Sequence, residues 1–131
     1  MRVLLDTQVF LWFFEDPKRL SASALECFAD RNQQLYLSPA SSWEMAIKWK
    51  LGKLVLPDAP GKYIATRMAM ISVESLPVQH EHTSRVASLE NHHRDPFDRM
   101  LIAQAQHEFM TIMTADSVFG LYDAPVLWGG K

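Results

Sequence analysis

Four carboxylates in this chain fall where local signals place strand ends and the first turns of helices. Asp6 directly follows the apolar run Val3-Leu4-Leu5, and Asp116 comes two residues after Thr111-Ile112-Met113-Thr114. Asp98 lies in the first turn of a helix opened by Asp95-Pro96, and Glu44 near the second turn of one opened by Ser38-Pro39. A polar cap followed by proline is a helix-start signal, because proline needs no partner for its missing N–H there. Like charges drawn partly out of water are costly unless a positive group neutralises them, and a divalent cation does so directly. Oxygen donors with no Cys or His ligand pattern favour Mg2+ or Mn2+ over zinc. A cation held this way can activate a water and stabilise developing negative charge.

The elements that must position these acids follow from hydrophobic periodicity. Val3 to Leu5, Leu35 to Leu37 and Thr111 to Thr114 read as short buried strands; Ile71 to Val73 is a weaker strand and Ala124 to Trp128 a last one. Pro39 to about Leu51 reads as a helix with Trp43, Ala46, Ile47 and Leu51 on one face, ended by Gly52. Further helices are expected over Tyr63 to Met70 and His80 to Leu89. After Pro96, Phe97, Leu101, Ala105 and Phe109 recur at four-residue steps. Gly129 to Lys131 reads as a frayed tail. Strands alternating with helices predict an α/β fold with a mainly parallel central sheet flanked by helices. Ligands of such sheets bind outside the carboxyl ends of the strands, and helices returning against the strands bring their first turns to that edge. All four acids therefore converge on one edge. Asp98 stands three and four residues before Leu101 and Ile102, on the margin of the sheet-facing stripe, and Glu44 shares a face with Ile47 and Leu51.

Each acid also has a purely structural reading. Asp95 is a natural N-cap and Asp98 could be its capping-box partner. Glu44 and Lys48 have the spacing of an ordinary solvated helix pair. Asp6 and Asp116 could be turn residues. Adjacent His92 and His93 on a loop more often face solvent than bind metal, and Cys27 fits a small buried hydrophobe. Trp12 to Phe14, Trp43 and Trp49 read as core or interface aromatics.

The composition narrows the function. With 131 residues, 13 basic and 15 acidic side chains and a net charge of -2, the chain reads as one domain, residues 1–131, and is unlike a nonspecific nucleic-acid coat. One cysteine forms no intrachain disulfide, no secretory signal is readable, and the longest apolar run, Val9 to Phe14, falls far short of the ~20 residues a membrane helix needs. A soluble, cytoplasmic protein is expected. No P-loop or Gly-x-Gly-x-x-Gly motif occurs.

Taken in order, Leu4-Leu5-Asp6-Thr7, Ser42-Trp43-Glu44-Met45-Ala46-Ile47-Lys48, His93-Arg94-Asp95-Pro96-Phe97-Asp98-Arg99 and Thr114-Ala115-Asp116, with the closing Pro125-Val126-Leu127-Trp128, resemble a PIN-domain ribonuclease of the VapC toxin type. The resemblance spans nearly the whole chain. It implies a three-layer PIN-like, Rossmann-like domain and a Mg2+- or Mn2+-dependent endoribonuclease acting on RNA. It also implies the toxin half of a bacterial toxin-antitoxin pair, usually a homodimer held by its cognate antitoxin. Position by position, Asp6, Glu44, Asp98 and Asp116 match the family's acidic quartet, and Gln8 stands where relatives often have histidine.

On this reading Asp6, Asp98 and Asp116 are metal ligands, direct or through water, and Glu44 is a ligand through water or orients the nucleophile. Thr7 and Thr114 are the hydroxyls that hold carboxylates in place. Arg94, Arg99 and Lys48 are candidate phosphate contacts. Two rivals are a Mg2+-dependent phosphatase or receiver-like domain, poorly served by late segments with no lysine before Lys131, and a catalytically silent binding module.

Overall fold

A computed structural model describes residues 1–131. Five short strands, β1 (Arg2–Leu5), β2 (Gln34–Leu37), β3 (Glu74–Ser75), β4 (Thr111–Thr114) and β5 (Val126–Trp128), form one sheet in the order β3-β2-β1-β4-β5. Every pairing is parallel. Six α-helices, α1 (Thr7–Glu15), α2 (Ala22–Ala29), α3 (Pro39–Lys50), α4 (Pro60–Met70), α5 (His80–Val86) and α6 (Pro96–Glu108), cover the sheet, and 3-10 turns occur at Pro17–Arg19 and Ser117–Leu121. The α/β layered architecture is the one the alternation of elements predicts.

Central β1 shows why the strands read as continuous apolar runs. Val3 and Leu5 point to a core completed by Phe10 of α1, Cys27 of α2 and Tyr63 of α4, while Leu4 points the other way, to Leu101, Ile102 and Ile112. Burying each such aliphatic side chain stabilises the fold by about 1.5–3 kcal/mol. Strand order reverses direction about β1 and β4, so the crevice beyond their carboxyl ends is the sheet's topological switch point. Asp6 and Asp116 emerge there.

Proline and its cap begin both site helices as expected. The Ser38 hydroxyl accepts from the Ala40 N–H ahead of α3, and the Asp95 carboxylate accepts from the Phe97 and Asp98 N–H groups ahead of α6. Elsewhere local chemistry overrides periodicity. Ile71 to Val73 is not a strand: Ser72 takes φ 53° and the Val73 N–H bonds back to the Met68 carbonyl, so these residues close α4 and pairing with β2 starts at Glu74. The helix from His80 stops at Val86, beyond which Ser88 and Leu89 turn with three-residue hydrogen bonds.

Phe109 does not continue the apolar face of α6. It is the left-handed C-cap, φ 55°, and is 91% exposed. The face of α3 is also inverted: Ala40, Ser41, Glu44 and Met45 are buried, whereas Trp43, Ile47, Trp49 and Leu51 are exposed. Trp12 to Phe14 pack against the core. The C-terminal residues are pinned rather than frayed, since Gly130 bridges Leu20, Ser21 N–H bonds the Gly129 carbonyl at 2.8 Å and Lys131 N–H bonds the Arg19 carbonyl at 3.2 Å. No helix is long and apolar enough to cross a membrane.

Candidate active site

β1 delivers Asp6 into the switch-point crevice as the N-cap of α1, but its carboxylate makes no capping bond. It accepts instead from the Thr114 hydroxyl at 2.7 Å, and that same hydroxyl accepts from the Asp116 N–H at 3.1 Å. One threonine at the end of β4 therefore fixes the loops that carry two acids. Asp116 caps the following 3-10 turn through Oδ1, which accepts from the Val118 N–H, leaving Oδ2 uncommitted to the cap. Glu44 reaches the crevice from the buried face of α3 and Asp98 from the first turn of α6. Asp6, Glu44, Asp98 and Asp116 line a single cleft of about 430 Å³, together with Thr7, Gln8, Lys48, Lys53 and Asp95.

The structural readings of Asp98 and Glu44 fail in specific ways, whereas Asp116 does serve its turn as a cap. Asp98 is not a capping-box partner, because the Asp95 N–H is taken by the imidazole Nδ1 of His93 at 3.3 Å. Glu44 does pair with Lys48, at 2.6 Å, yet Glu44 is only 6% exposed and its Oε1 is buried without any hydrogen-bond partner. A solvated helix pair does not look like that.

His93 is the site residue that sequence reasoning missed. It does not face solvent: its Nδ1 accepts from a backbone N–H, so the proton sits on Nε2, which donates to Asp98 Oδ2 at 2.7 Å and lies 3.6 Å from Asp116 Oδ2. Ligand atoms of His93, Asp98 and Asp116 all lie within 4.8 Å of one another, so a donor set read as oxygen only has an imidazole at its border. Only the position two residues before an N-cap aspartate hints at this in the sequence. Gln8 lines the cleft, and the imidazole of His93 borders it through Asp98 and Asp116.

Arg99 is a correction of the opposite kind. Its guanidinium bonds the carbonyls of Val86, Glu90 and His93 and the Tyr122 hydroxyl, so it clamps the loop behind the site and is not free for phosphate. Arg94 is exposed, on an apolar groove beside the site rather than in the acidic cleft. Lys48 is in the cleft, occupied with Glu44.

The electrostatics reflect crowding. Burial, reinforced by the charges of Glu44 and Asp116 and opposed by the Thr114 hydroxyl, pushes the Asp6 carboxyl up to about 6. Burial, with the charges of Asp6, Asp95 and Glu44, pushes Asp98 to about 7 against the His93 hydrogen bond. The Lys48 ammonium is held above its usual range by its hydrogen bond to Glu44. The acids interact with one another, and the two lysines of the cleft, Lys48 and Lys53, are too little positive charge for its five carboxylates.

Residues 3–125 match the PIN domain family. The chain belongs to that family. It is 37% identical over 70 residues to Ribonuclease VapC16 of Mycobacterium tuberculosis, a match that covers half of this chain and half of that relative. The chain thus spans about half the length of the curated relative it matches. Solved structures share the PIN fold along its whole length. VapBC2 of Rickettsia felis, bound to a DNA fragment from its promoter, superposes with a TM-score of 0.74 at 14% identity, covering 98% of this chain and 99% of that one. VapBC-1 of nontypeable Haemophilus influenzae gives 0.69 at 14% identity, with 97% of each chain covered. In this PIN domain the acids sit at the switch point of the parallel sheet, which the overall likeness alone does not show.

Proposed function

We propose that this PIN domain is a Mg2+- or Mn2+-dependent endoribonuclease that hydrolyses RNA phosphodiester bonds and acts in the cytoplasm as the toxin of a bacterial toxin-antitoxin pair. The observation that carries the reading is the set of buried Asp6 and Glu44 with part-buried Asp98, open to a cleft and short of positive charge. The ribonuclease named among its relatives and the VapBC complexes among its structural neighbours support the assignment to RNA and to an antitoxin partner. The exposed apolar stripe Trp43, Ile47 and Leu51 supports a homodimer or antitoxin contact.

The residues present fit a hard divalent cation. Carboxylate oxygens dominate the cleft, and Glu44 Oε1 and Thr7 Oγ1 are buried polar atoms with no protein partner. Asp6, Asp98 and Asp116 would hold the ion, with Glu44 joining directly or through water. When bound, the cation supplies Lewis-acid stabilisation of phosphate charge and a more acidic water. The protein's own groups prepare for this. Thr114 fixes Asp6, and His93 Nε2–H fixes Asp98 by one oxygen, leaving Oδ1 clear of that bond. Glu44, whose Oε1 has no hydrogen-bond partner, would orient the attacking water or bind the ion through one. An antitoxin would inhibit by seating an Arg or Lys among these acids.

The test is cleavage of a mixed RNA pool by partner-free protein, with Mg2+ or Mn2+ against chelator, and Asp98→Asn alongside. Metal-dependent cutting that drops at least about 100-fold in the variant is expected. Cutting that persists in Asp98→Asn, or absence of both cutting and Mn2+ binding, overturns the reading; the latter favours a silent binding module.

A further inference from the structure

Next to the acidic cleft, on the side of β5, lies a second groove of about 440 Å³ with the opposite character. Its walls include Trp12, Lys18, Arg19, Trp128 and Lys131, and Ala115 lines both this groove and the acidic cleft, so the two adjoin across that residue. None of these cations has a carboxylate within 4 Å, in contrast to Lys48 and Lys62. Arg19 lies over the Trp12 ring at 4.8 Å, and Trp128 is 46% exposed. The groove is built rather than incidental. The Leu20–Gly130 bridge and the Lys131 N–H bond to the Arg19 carbonyl bring a turn after α1 against the segment after β5. Gly130 permits that approach, because a Cβ there would stand 2.9 Å from Ala115 Cβ.

Unpaired cations beside an exposed indole ring, that of Trp128, are chemistry that single-stranded nucleic acid uses, since phosphates meet the cations and any base can stack on an indole. A polyanion entering a cleft lined by carboxylates also needs cations outside it. Resting on the endoribonuclease reading, we propose that the RNA strand crosses from the acidic cleft over Ala115. The nucleotide adjoining the scissile phosphate is then held in this groove, its phosphate by Lys18, Arg19 and Lys131 and its base against Trp128.

Binding separates this from cleavage. The probe is a fluorescently labelled single-stranded oligoribonucleotide, titrated by anisotropy in Mg2+ with Asp98→Asn as the intact, non-cleaving parent. Adding Lys18→Gln and Arg19→Gln is expected to weaken binding about tenfold and to flatten the dependence of log K on log salt by about 1.4. Lys62→Gln with Arg85→Gln, neither of which lines the groove, is the control pair and leaves both unchanged. Unchanged affinity and salt slope in the Lys18/Arg19 variant, with the parent binding RNA well, overturns the path while leaving the nuclease reading intact. A parent that binds no RNA, paired with a wild type that cuts none, brings down the underlying reading as well. Loss of affinity for a protein partner with RNA binding untouched assigns the groove to that partner and also overturns the proposal.

Discussion

Asp6 and Asp98 are carboxyls that the fold holds against their own preference for water, and the consequence is measurable without substrate. Each has an ordinary value near 3.8 and a folded value of about 6 or about 7, so the folded state binds protons more tightly than the unfolded chain. A raised carboxyl contributes no penalty where both states are protonated, below about pH 4. The penalty grows as pH rises to the folded values and is complete by about pH 8. Metal-free protein in chelator should therefore lose stability between pH 4 and pH 8, on the order of 2–3 kcal/mol from Asp6 alone. Denaturant melts of wild type and Asp6→Asn across that range check it. The difference between the two curves isolates the carboxyl's own contribution, and parallel curves would mean that Asp6 is not desolvated as described. Asp95 is the instructive contrast: also in the cleft, it spends one oxygen on two backbone N–H groups as a cap.

At the scale of elements, sequence legibility tracked how local the deciding chemistry is. Proline with its cap set the starts of α3 and α6, and apolar runs set β1, β2 and β4, because those signals act within a few residues. The buried face of α3 was not legible. Its most apolar stripe is outside, and the helix turns Ser41 and Glu44 inward because the cleft, not the core, dictates that face. Arg99 was misjudged for a related reason, since its partners lie on the loop from Val86 to His93 and on Tyr122, which no spacing rule encodes. The imidazole of His93 has local partners, Asp95 and Asp98, but its backbone is held in place by the distant Tyr122 hydroxyl. That clamp should be stiff and costly to break. Tyr122→Phe leaves the His92 and His93 N–H groups without their shared acceptor and should destabilise by about 1–3 kcal/mol in a thermal melt, with metal-dependent activity falling further than stability explains. A change within error would reduce Tyr122 to packing. At the other flank, Gly129→Ala puts a Cβ 2.8 Å from Val9 Cγ1 and 3.3 Å from Met113 Cγ, so about 1–3 kcal/mol of overpacking is expected there. An unshifted melting midpoint would show that α1 gives way.

Across the whole molecule, a net charge of -2 conceals a segregated surface: acids gathered at the switch point, unpaired cations beside them at the β5 edge, and a lysine on the α3 side already paired. On the proposed reading such a fold is less stable without a bound cation than its core would allow, and an ion that binds only the folded state would return that stability by mass action. At 100 times its dissociation constant Mn2+ should add about 2.7 kcal/mol to wild-type stability, and the increment should shrink as pH falls because Asp6 and Asp98 must lose protons to bind it. Asp98→Asn inverts the comparison. It removes a crowded charge while keeping an oxygen that can accept from His93 Nε2–H, so at pH 8 in chelator the variant should melt above wild type, and with Mn2+ it should melt below. That crossing of two melting curves is the signature of a site whose stability was given up for ion binding. A variant that melts below wild type in chelator would instead make Asp98 a structural acid, whose bond to His93 outweighs the crowding around it.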